Sequence, residues 1–298
     1  MKFKKLVCVD NIKLQASALK ELKKYTEEMD VYNDYPKTNE EIVQRIKDAD
    51  AVLVSWHTTL DENIIAQFPN LKYIGMACSL YDDASANVAV NFARKKGITV
   101  TGIFDYGDPG VAEFIVSKLI DLLHGFGDNQ WKEEPEELTG KKIGIIGLGT
   151  TGQLLAKCLL PFGADLFYFS RTRKSEWEER GVDYLPLEVL LKRSEIISFH
   201  LPKYTVLLKE AEFKTFGSGK ILINTSLGLP FEENGFKQWI HQQGNFAIFD
   251  GDGKSGLSKE VENFQNVILA NKSAGWTRET EKRLSQKVLQ NLKDFLKK

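Results

Sequence analysis

Lys141-Lys142-Ile143-Gly144-Ile145-Ile146-Gly147-Leu148-Gly149-Thr150-Thr151-Gly152 is the stretch on which the fold turns. An apolar run of strand length enters a Gly-x-Gly-x-x-Gly turn, and a helix over 153–162 follows. In that strand–turn–helix setting each glycine has its own task. Gly147 permits the tight turn, Gly149 lets backbone approach a pyrophosphate, and Gly152 lets helix and strand pack closely. The helix start at Thr150 and Thr151 offers free N–H groups to an anion. The stretch predicts a dinucleotide site; a glycine-rich turn without a ligand is the plainer alternative.

Working outward, strands are expected over 6–9, 51–55, 71–76 and 98–100, alternating with helices over 14–25, 40–47, 63–68 and 88–96. A long apolar helix over 111–124 follows, then a glycine- and charge-rich stretch, 125–139, that reads as a linker. Beyond it come strands over 142–146, 165–169, 195–199, 220–224, 246–249 and 267–269, with helices between them such as 232–241. The last helix, 278–297, places Leu284, Val288, Leu292 and Phe295 on one side. Strands alternating with helices imply α/β architecture, with parallel sheets covered on both faces.

A chain of 298 residues suits two domains of ordinary size. Its net charge of −1, without a long basic or acidic block, argues against nucleic acid and anionic membrane surfaces as partners. No apolar run approaches the ~20 residues that span a bilayer. The opening residues are basic, then apolar, but Asp10 and Asn11 end the run too early for a signal peptide, so it reads as a first strand. Cys8, Cys78 and Cys158 are scattered and form neither a disulfide framework nor a zinc pattern. No metal site is expected, and the expected compartment is the cytoplasm.

The tip of the second strand after the glycines selects the dinucleotide. An acidic residue there holds a ribose 2′-hydroxyl and repels a 2′-phosphate. Here Leu166-Phe167-Tyr168-Phe169 is followed by Ser170-Arg171-Thr172-Arg173-Lys174, with no carboxylate. Two guanidinium forks and two hydroxyls suit a 2′-phosphate, so NADP(H) is favoured over NAD(H). The same residues also suit an ordinary solvated basic loop.

Several further pieces occur in a telling order: Val111-Ala112-Glu113, the glycine turn, Phe199-His200-Leu201-Pro202, Ile223-Asn224-Thr225-Ser226, Ala247-Ile248-Phe249-Asp250 and Asn266-Val267-Ile268-Leu269. Together they resemble the D-isomer-specific 2-hydroxyacid dehydrogenases, over nearly the whole chain. The resemblance implies two Rossmann-like domains, a cofactor domain over 102–272 inserted into a discontinuous substrate domain over 1–101 and 273–298. It implies that His200 and Pro202 pass the nicotinamide side of the cofactor, that Asp250 accepts from the carboxamide, and that Thr225 and Ser226 form the turn before the family's Arg position. It also implies a homodimer formed through the cofactor domain, and a small-molecule substrate.

The resemblance breaks at the chemistry. The family holds its substrate with an Arg after Asn-Thr-Ser, where this chain has Leu227. Its Glu is missing from 250–256, and its His is replaced by the Asn271-Lys272 pair. The loop Ala77-Cys78-Ser79-Leu80-Tyr81-Asp82-Asp83 departs from the family's carboxylate-binding loop and carries two carboxylates of its own. A carboxylate substrate needs a cationic clamp, and a His acid needs a partner that sets its pKa and tautomer.

Lys272 therefore stands as the candidate acid or anion-binding group, with an exposed surface lysine as the alternative. His57, after the strand over 51–55, is a second candidate, with a backbone-bonded loop histidine as its alternative. His124 and His241 look structural. Trp56, Tyr81, Tyr106 and Trp276 suit either a flat substrate or packing. Asp82 and Asp83 suit either a cationic substrate or a solvated turn. The expected activity is hydride transfer, NADPH-preferring, on a small substrate other than a typical 2-hydroxy or 2-oxo acid. The competing expectation is a catalytically silent dinucleotide-binding protein.

Overall fold

Fully apolar runs of four to seven residues become parallel strands because only a sheet covered on both faces buries both sides of such a run. The computed structural model describes residues 2–80, 83, 86–203 and 205–297. Its first sheet comprises β1 (Phe3–Cys8), β2 (Thr26–Val31), β3 (Ala51–Val54), β4 (Tyr73–Ser79) and β5 (Thr99–Ile103). All pairings are parallel, in the order β2-β1-β3-β4-β5. Helices α1 (Ala16–Leu22), α2 (Asn39–Ile46), α3 (Glu62–Ile65) and α4 (Val90–Lys95) lie between these strands in sequence, and α5 (Asp108–His124) follows them.

The second sheet comprises β6 (Lys142–Ile146), β7 (Asp165–Phe169), β8 (Val182–Tyr184), β9 (Ile196–Phe199), β10 (Ile221–Asn224), β11 (Phe246–Phe249) and β12 (Val267–Leu269). It too is wholly parallel, in the order β12-β11-β10-β9-β6-β7-β8. Its helices are α6 (Thr150–Leu159), α7 (Ser175–Glu178), α8 (Leu187–Arg193), α9 (Glu210–Phe216), α10 (Glu233–Ile240) and α11 (Lys259–Glu262). The reversal of strand order lies between β6 and β9, and ligands of such sheets bind outside the strands' carboxyl ends at that point.

The chain divides into two compact units, one running to Tyr106 and resuming at Arg278, the other spanning Gly107–Thr277. The final helix, α12 (Arg278–Leu296), returns to the first unit. There Leu284, Val288 and Leu292 join Phe3, Leu6, Leu53 and Tyr73 in one core, and Phe295 stacks on Phe3 at 5.5 Å. The second unit begins and ends at one place. A Cβ on Gly107 would lie 2.9 Å from the Gly275 carbonyl oxygen, and one on Gly110 would lie 2.6 Å from that of Ala274.

Two strands escape the sequence reading, β2 and β8. Both are edge strands, and their polar residues (Thr-Glu-Glu-Met-Asp-Val and Val-Asp-Tyr) lack the apolar run of a central strand. The stretch 125–139 is no free linker. Trp131 and Leu138 are buried in the second unit's core, and the Trp131 indole N–H donates to the Gly244 carbonyl at 3.0 Å. Among the described residues no helix is long and apolar enough to cross a membrane, and no cluster of metal-ligating side chains occurs.

Candidate functional site

The turn between β6 and α6 separates glycines that the chain itself requires from one that it does not. Gly147 has φ +100°, and a Cβ there would lie 2.3 Å from the His200 carbonyl oxygen. A Cβ on Gly152 would lie 2.2 Å from the Gly147 carbonyl oxygen. Gly149 is different: its backbone is extended (φ −81°, ψ −165°), and a Cβ there would meet nothing within 4 Å. No internal contact calls for glycine at that position, and the exposed cradle it leaves suits a ligand approaching the backbone. The helix behind it has no side-chain cap, so its first N–H groups remain available to an anion. Thr150 is exposed. The Thr151 hydroxyl is committed inward, donating to the Asp108 carboxylate at the start of α5. These residues fit a dinucleotide pyrophosphate.

The basic loop is tied to the same turn, since the Gly147 N–H donates to the Phe169 carbonyl at 2.8 Å. The Ser170 hydroxyl turns back to the Thr172 carbonyl. Arg171 and Thr172 are exposed, and Arg171 forms no ion pair among the described residues. Arg173 is engaged: its Nε lies 2.7 Å from Glu178 Oε1 and its Nη2 is 2.5 Å from Glu178 Oε2.

At the tips of the other strands, side chains bind loops to one another. The Ser226 hydroxyl accepts from the Leu201 N–H at 3.0 Å and donates to the Phe199 carbonyl at 3.2 Å. The buried Asn224 amide donates to the Gly228 and Gly253 carbonyls at 3.0 and 2.8 Å. Asp250, also buried, accepts the Gly253 N–H at 2.6 Å and the Ala274 N–H at 2.7 Å. Burial pushes its carboxyl up, against backbone donors that pull it down. One oxygen thus closes the carboxylate's own loop and the other holds the segment around Lys272, whose carbonyl accepts the Gly251 N–H at 2.9 Å. Lys272 itself is exposed, as are Pro202 and Leu227, while Thr225 is partly buried.

His200 sits beneath the glycine turn with Nε2 3.0 Å from the Ser198 hydroxyl. Desolvation pushes its imidazole down to about 4, so it is neutral at pH 7. An unfolded His titrates near 6.5, so as the pH falls from there toward about 4 the unfolded chain takes up a proton that the folded chain refuses. Stability is therefore undiminished above the unfolded value and declines below it. Urea unfolding should show wild type losing roughly 2 kcal/mol more than His200→Gln between pH 7 and pH 5. Subtracting the variant removes the opposing contribution of Asp250. Parallel pH profiles would refute the assignment.

In the first unit the loop after β3 carries His57. It is fixed from below by Asp10, a fully buried carboxylate that accepts from the Ser55 N–H (2.9 Å), the Ser55 hydroxyl (2.6 Å) and the Thr58 hydroxyl (2.5 Å). The Asn87 amide adds bonds to the Ser55 and Thr58 carbonyls. The His57 ring lies between Tyr35 at 4.3 Å and Trp56 at 3.8 Å. Burial, and then the charge of Asp10, push the Tyr35 phenol up. Asp83 pairs with Arg94 at 3.1 Å, whereas Tyr81 and Asp82 lie outside the described residues. His124 stacks on Phe126 at 5.0 Å and His241 packs against Phe264 at 4.5 Å.

Sequence reasoning missed Asp10, Tyr35, Asn87 and Asn224 as organising residues. The only signal at Asp10 was a carboxylate closing an apolar strand. The structure gathers the glycines, Thr150, Thr151, Ser170, His200, Ser226 and Asp250 at the carboxyl ends of one sheet. His57 belongs to the other sheet.

The family to which comparison with known proteins assigns the chain is one of NAD(P)-dependent oxidoreductases. The catalytic domain of the D-isomer specific 2-hydroxyacid dehydrogenases matches residues 6–298, and the chain belongs to that family. It is similar to a glyoxylate reductase of Thermococcus litoralis, 29% identical over 282 residues, covering 86% of this chain and 83% of the relative. A hydroxypyruvate reductase of Blautia hydrogenotrophica is 27% identical over 284 residues, covering 87% of this chain and 85% of the relative. Two solved structures share the fold, each at 22% identity, covering 98% of this chain and 97% of theirs. They are the TT0316 protein of Thermus thermophilus, with a TM-score of 0.84, and an acyclic imino acid reductase in complex with NADPH and D-Arg, with a TM-score of 0.83.

Proposed function

We propose that this protein is an NADPH-preferring oxidoreductase whose small substrate is not an ordinary 2-hydroxy or 2-oxo acid. The observation that carries the cofactor half is the β7 tip, which has no carboxylate and presents an exposed Arg171 outside any ion pair among the described residues. In this reading Gly149, the N–H groups of Thr150 and Thr151 and the loop 170–173 hold the dinucleotide, with His200, Pro202, Thr225 and Asp250 around its nicotinamide end. When bound, the cofactor supplies or accepts the hydride. A neutral His200 adds no charge there.

The substrate half rests on Leu227. It is 38% exposed at the position where the resemblance expects the substrate-clamping Arg, and an alkyl side chain cannot pair with a carboxylate. Lys272 and His57 are the side chains proposed to hold or move the proton. The exposure of Lys272 favours a second reading, a silent dinucleotide-binding protein, because an acid working near neutrality needs desolvation or nearby cations. Lys272→Ala separates the two: an enzyme loses turnover and keeps cofactor binding. We further propose a homodimer formed through the second unit. Phe126, 73% exposed just beyond α5, is in keeping with such a contact.

Fluorescence titration with NADPH and NADH tests the cofactor half. Wild type should prefer NADPH, and Arg171→Ala should lose about tenfold or more in NADPH affinity with little change for NADH. Binding of neither dinucleotide refutes the reading. Screening NADPH oxidation against carbonyls, imines and activated alkenes tests the substrate half, and robust turnover of glyoxylate or hydroxypyruvate would sink it.

A further inference from the structure

The basic loop after β7 has two arginines in different states. Arg173 is gripped by Glu178 through both carboxylate oxygens, at 2.5 to 3.1 Å. Its guanidinium carbon also lies 5.4 Å from the centre of the Tyr184 ring on the edge strand β8. Glu178 is held in turn, since the Tyr168 hydroxyl donates to it at 3.0 Å. That hydroxyl accepts the Lys174 N–H at 2.6 Å. Tyr168 is fully buried in the core, so the anchor of this chain of contacts does not move with the surface.

The arrangement has little value as a stabiliser. The Arg173 side chain is 68% exposed, and an ion pair that open to solvent contributes little to stability. Its effect on a bound anion is larger in principle. Glu178 takes the Nε–Nη2 edge of the guanidinium, one of the paired-donor edges a phosphate would use, and it adds a negative charge to the same loop. Arg171, two residues earlier, has no such partner among the described residues.

We infer that Glu178 sets the margin between NADPH and NADH by withholding Arg173 from the 2′-phosphate, leaving Arg171 as the working phosphate ligand. The inference rests on the proposed NADPH site and adds a residue that limits its selectivity. Tyr168 is a positioning residue in this scheme, holding Glu178 and the Lys174 backbone in register.

The test is a fluorescence titration of the full-length protein with NADPH, NADH and 2′,5′-ADP. Glu178→Gln keeps an oxygen acceptor for Tyr168 but gives up the charge that holds Arg173. It should raise affinity for NADPH and 2′,5′-ADP about three- to tenfold and change NADH less than about twofold. Adding Arg173→Ala to that variant should cancel the gain. An unchanged or weakened NADPH affinity in Glu178→Gln, an equal gain for both dinucleotides, or a gain that survives Arg173→Ala each overturns the inference while wild type still prefers NADPH. A wild type without that preference fails the underlying reading and takes the inference with it.

Discussion

A Gly147→Ala variant will not accumulate as folded protein, whereas Gly149→Ala will fold nearly as wild type and lose its dinucleotide. The two glycines lie two residues apart in one turn, and the difference is steric. At Gly147 the backbone is left-handed, which costs an L-residue about 1–2 kcal/mol. The added methyl would also press to 2.3 Å from the His200 carbonyl oxygen. That oxygen belongs to backbone held in the sheet, since the His200 N–H donates to the Ile146 carbonyl at 2.8 Å. Relief requires breaking strand pairing, so the total cost should reach roughly 4 kcal/mol or more, a large part of an ordinary domain's 5–15 kcal/mol. At Gly149 the backbone is extended and the methyl meets nothing. The cost there is only the poorer helix start, about 0.5 kcal/mol. The space it fills is the proposed pyrophosphate cradle, and on that reading NADPH affinity should fall on the order of 100-fold. Thermal melts and NADPH titrations read the two effects separately. A Gly149→Ala protein that binds NADPH like wild type would remove the strongest support for the cofactor site.

Asp10→Ala is expected to lower stability by about 3 kcal/mol, as it strands three donors at a buried site. The Ser55 N–H and hydroxyl and the Thr58 hydroxyl all close on this one carboxylate, and all three residues are buried. Asp10→Asn should cost about 1 kcal/mol, because an amide oxygen still accepts the Ser55 N–H and both hydroxyls can rotate to accept from the amide nitrogen. The urea midpoint of each variant measures the difference. A loss below about 1 kcal/mol for Asp10→Ala would mean that the loop carrying His57 is held by Asn87 and ring packing instead.

What the sequence made legible follows from how locally each feature is encoded. A left-handed residue and a backbone-to-backbone approach demand glycine, so the turn at 147–152 announces itself in residue type. Central strands announce themselves as apolar runs, and β9, β10 and β11 match their expected ends to within one residue. The edge strands β2 and β8 do not, since their exposed residues follow no burial pattern. Asp10 was invisible for another reason. Its partners stand 45 and 48 positions away, and a hydrogen bond across that distance leaves no spacing to read. The pairing of Arg173 with Glu178 spans five positions across the junction of a loop and a short helix, outside the regular three- and four-residue separations. The two arginines therefore looked alike until the fold distinguished them.

The close approach of Gly107 and Gly110 to Gly275 and Ala274 bears on how such a chain could arise and be rearranged. The inserted unit starts and stops at a single doorway. On the host side the stub at Tyr106 is held by the returning helix, the Arg283 guanidinium donating to its carbonyl at 2.7 Å. Each unit thus has its cut ends side by side, the geometry that makes a module portable. Residues 107–277 could be lifted out and expressed alone, and a short bridge across the remaining gap could reseal the host.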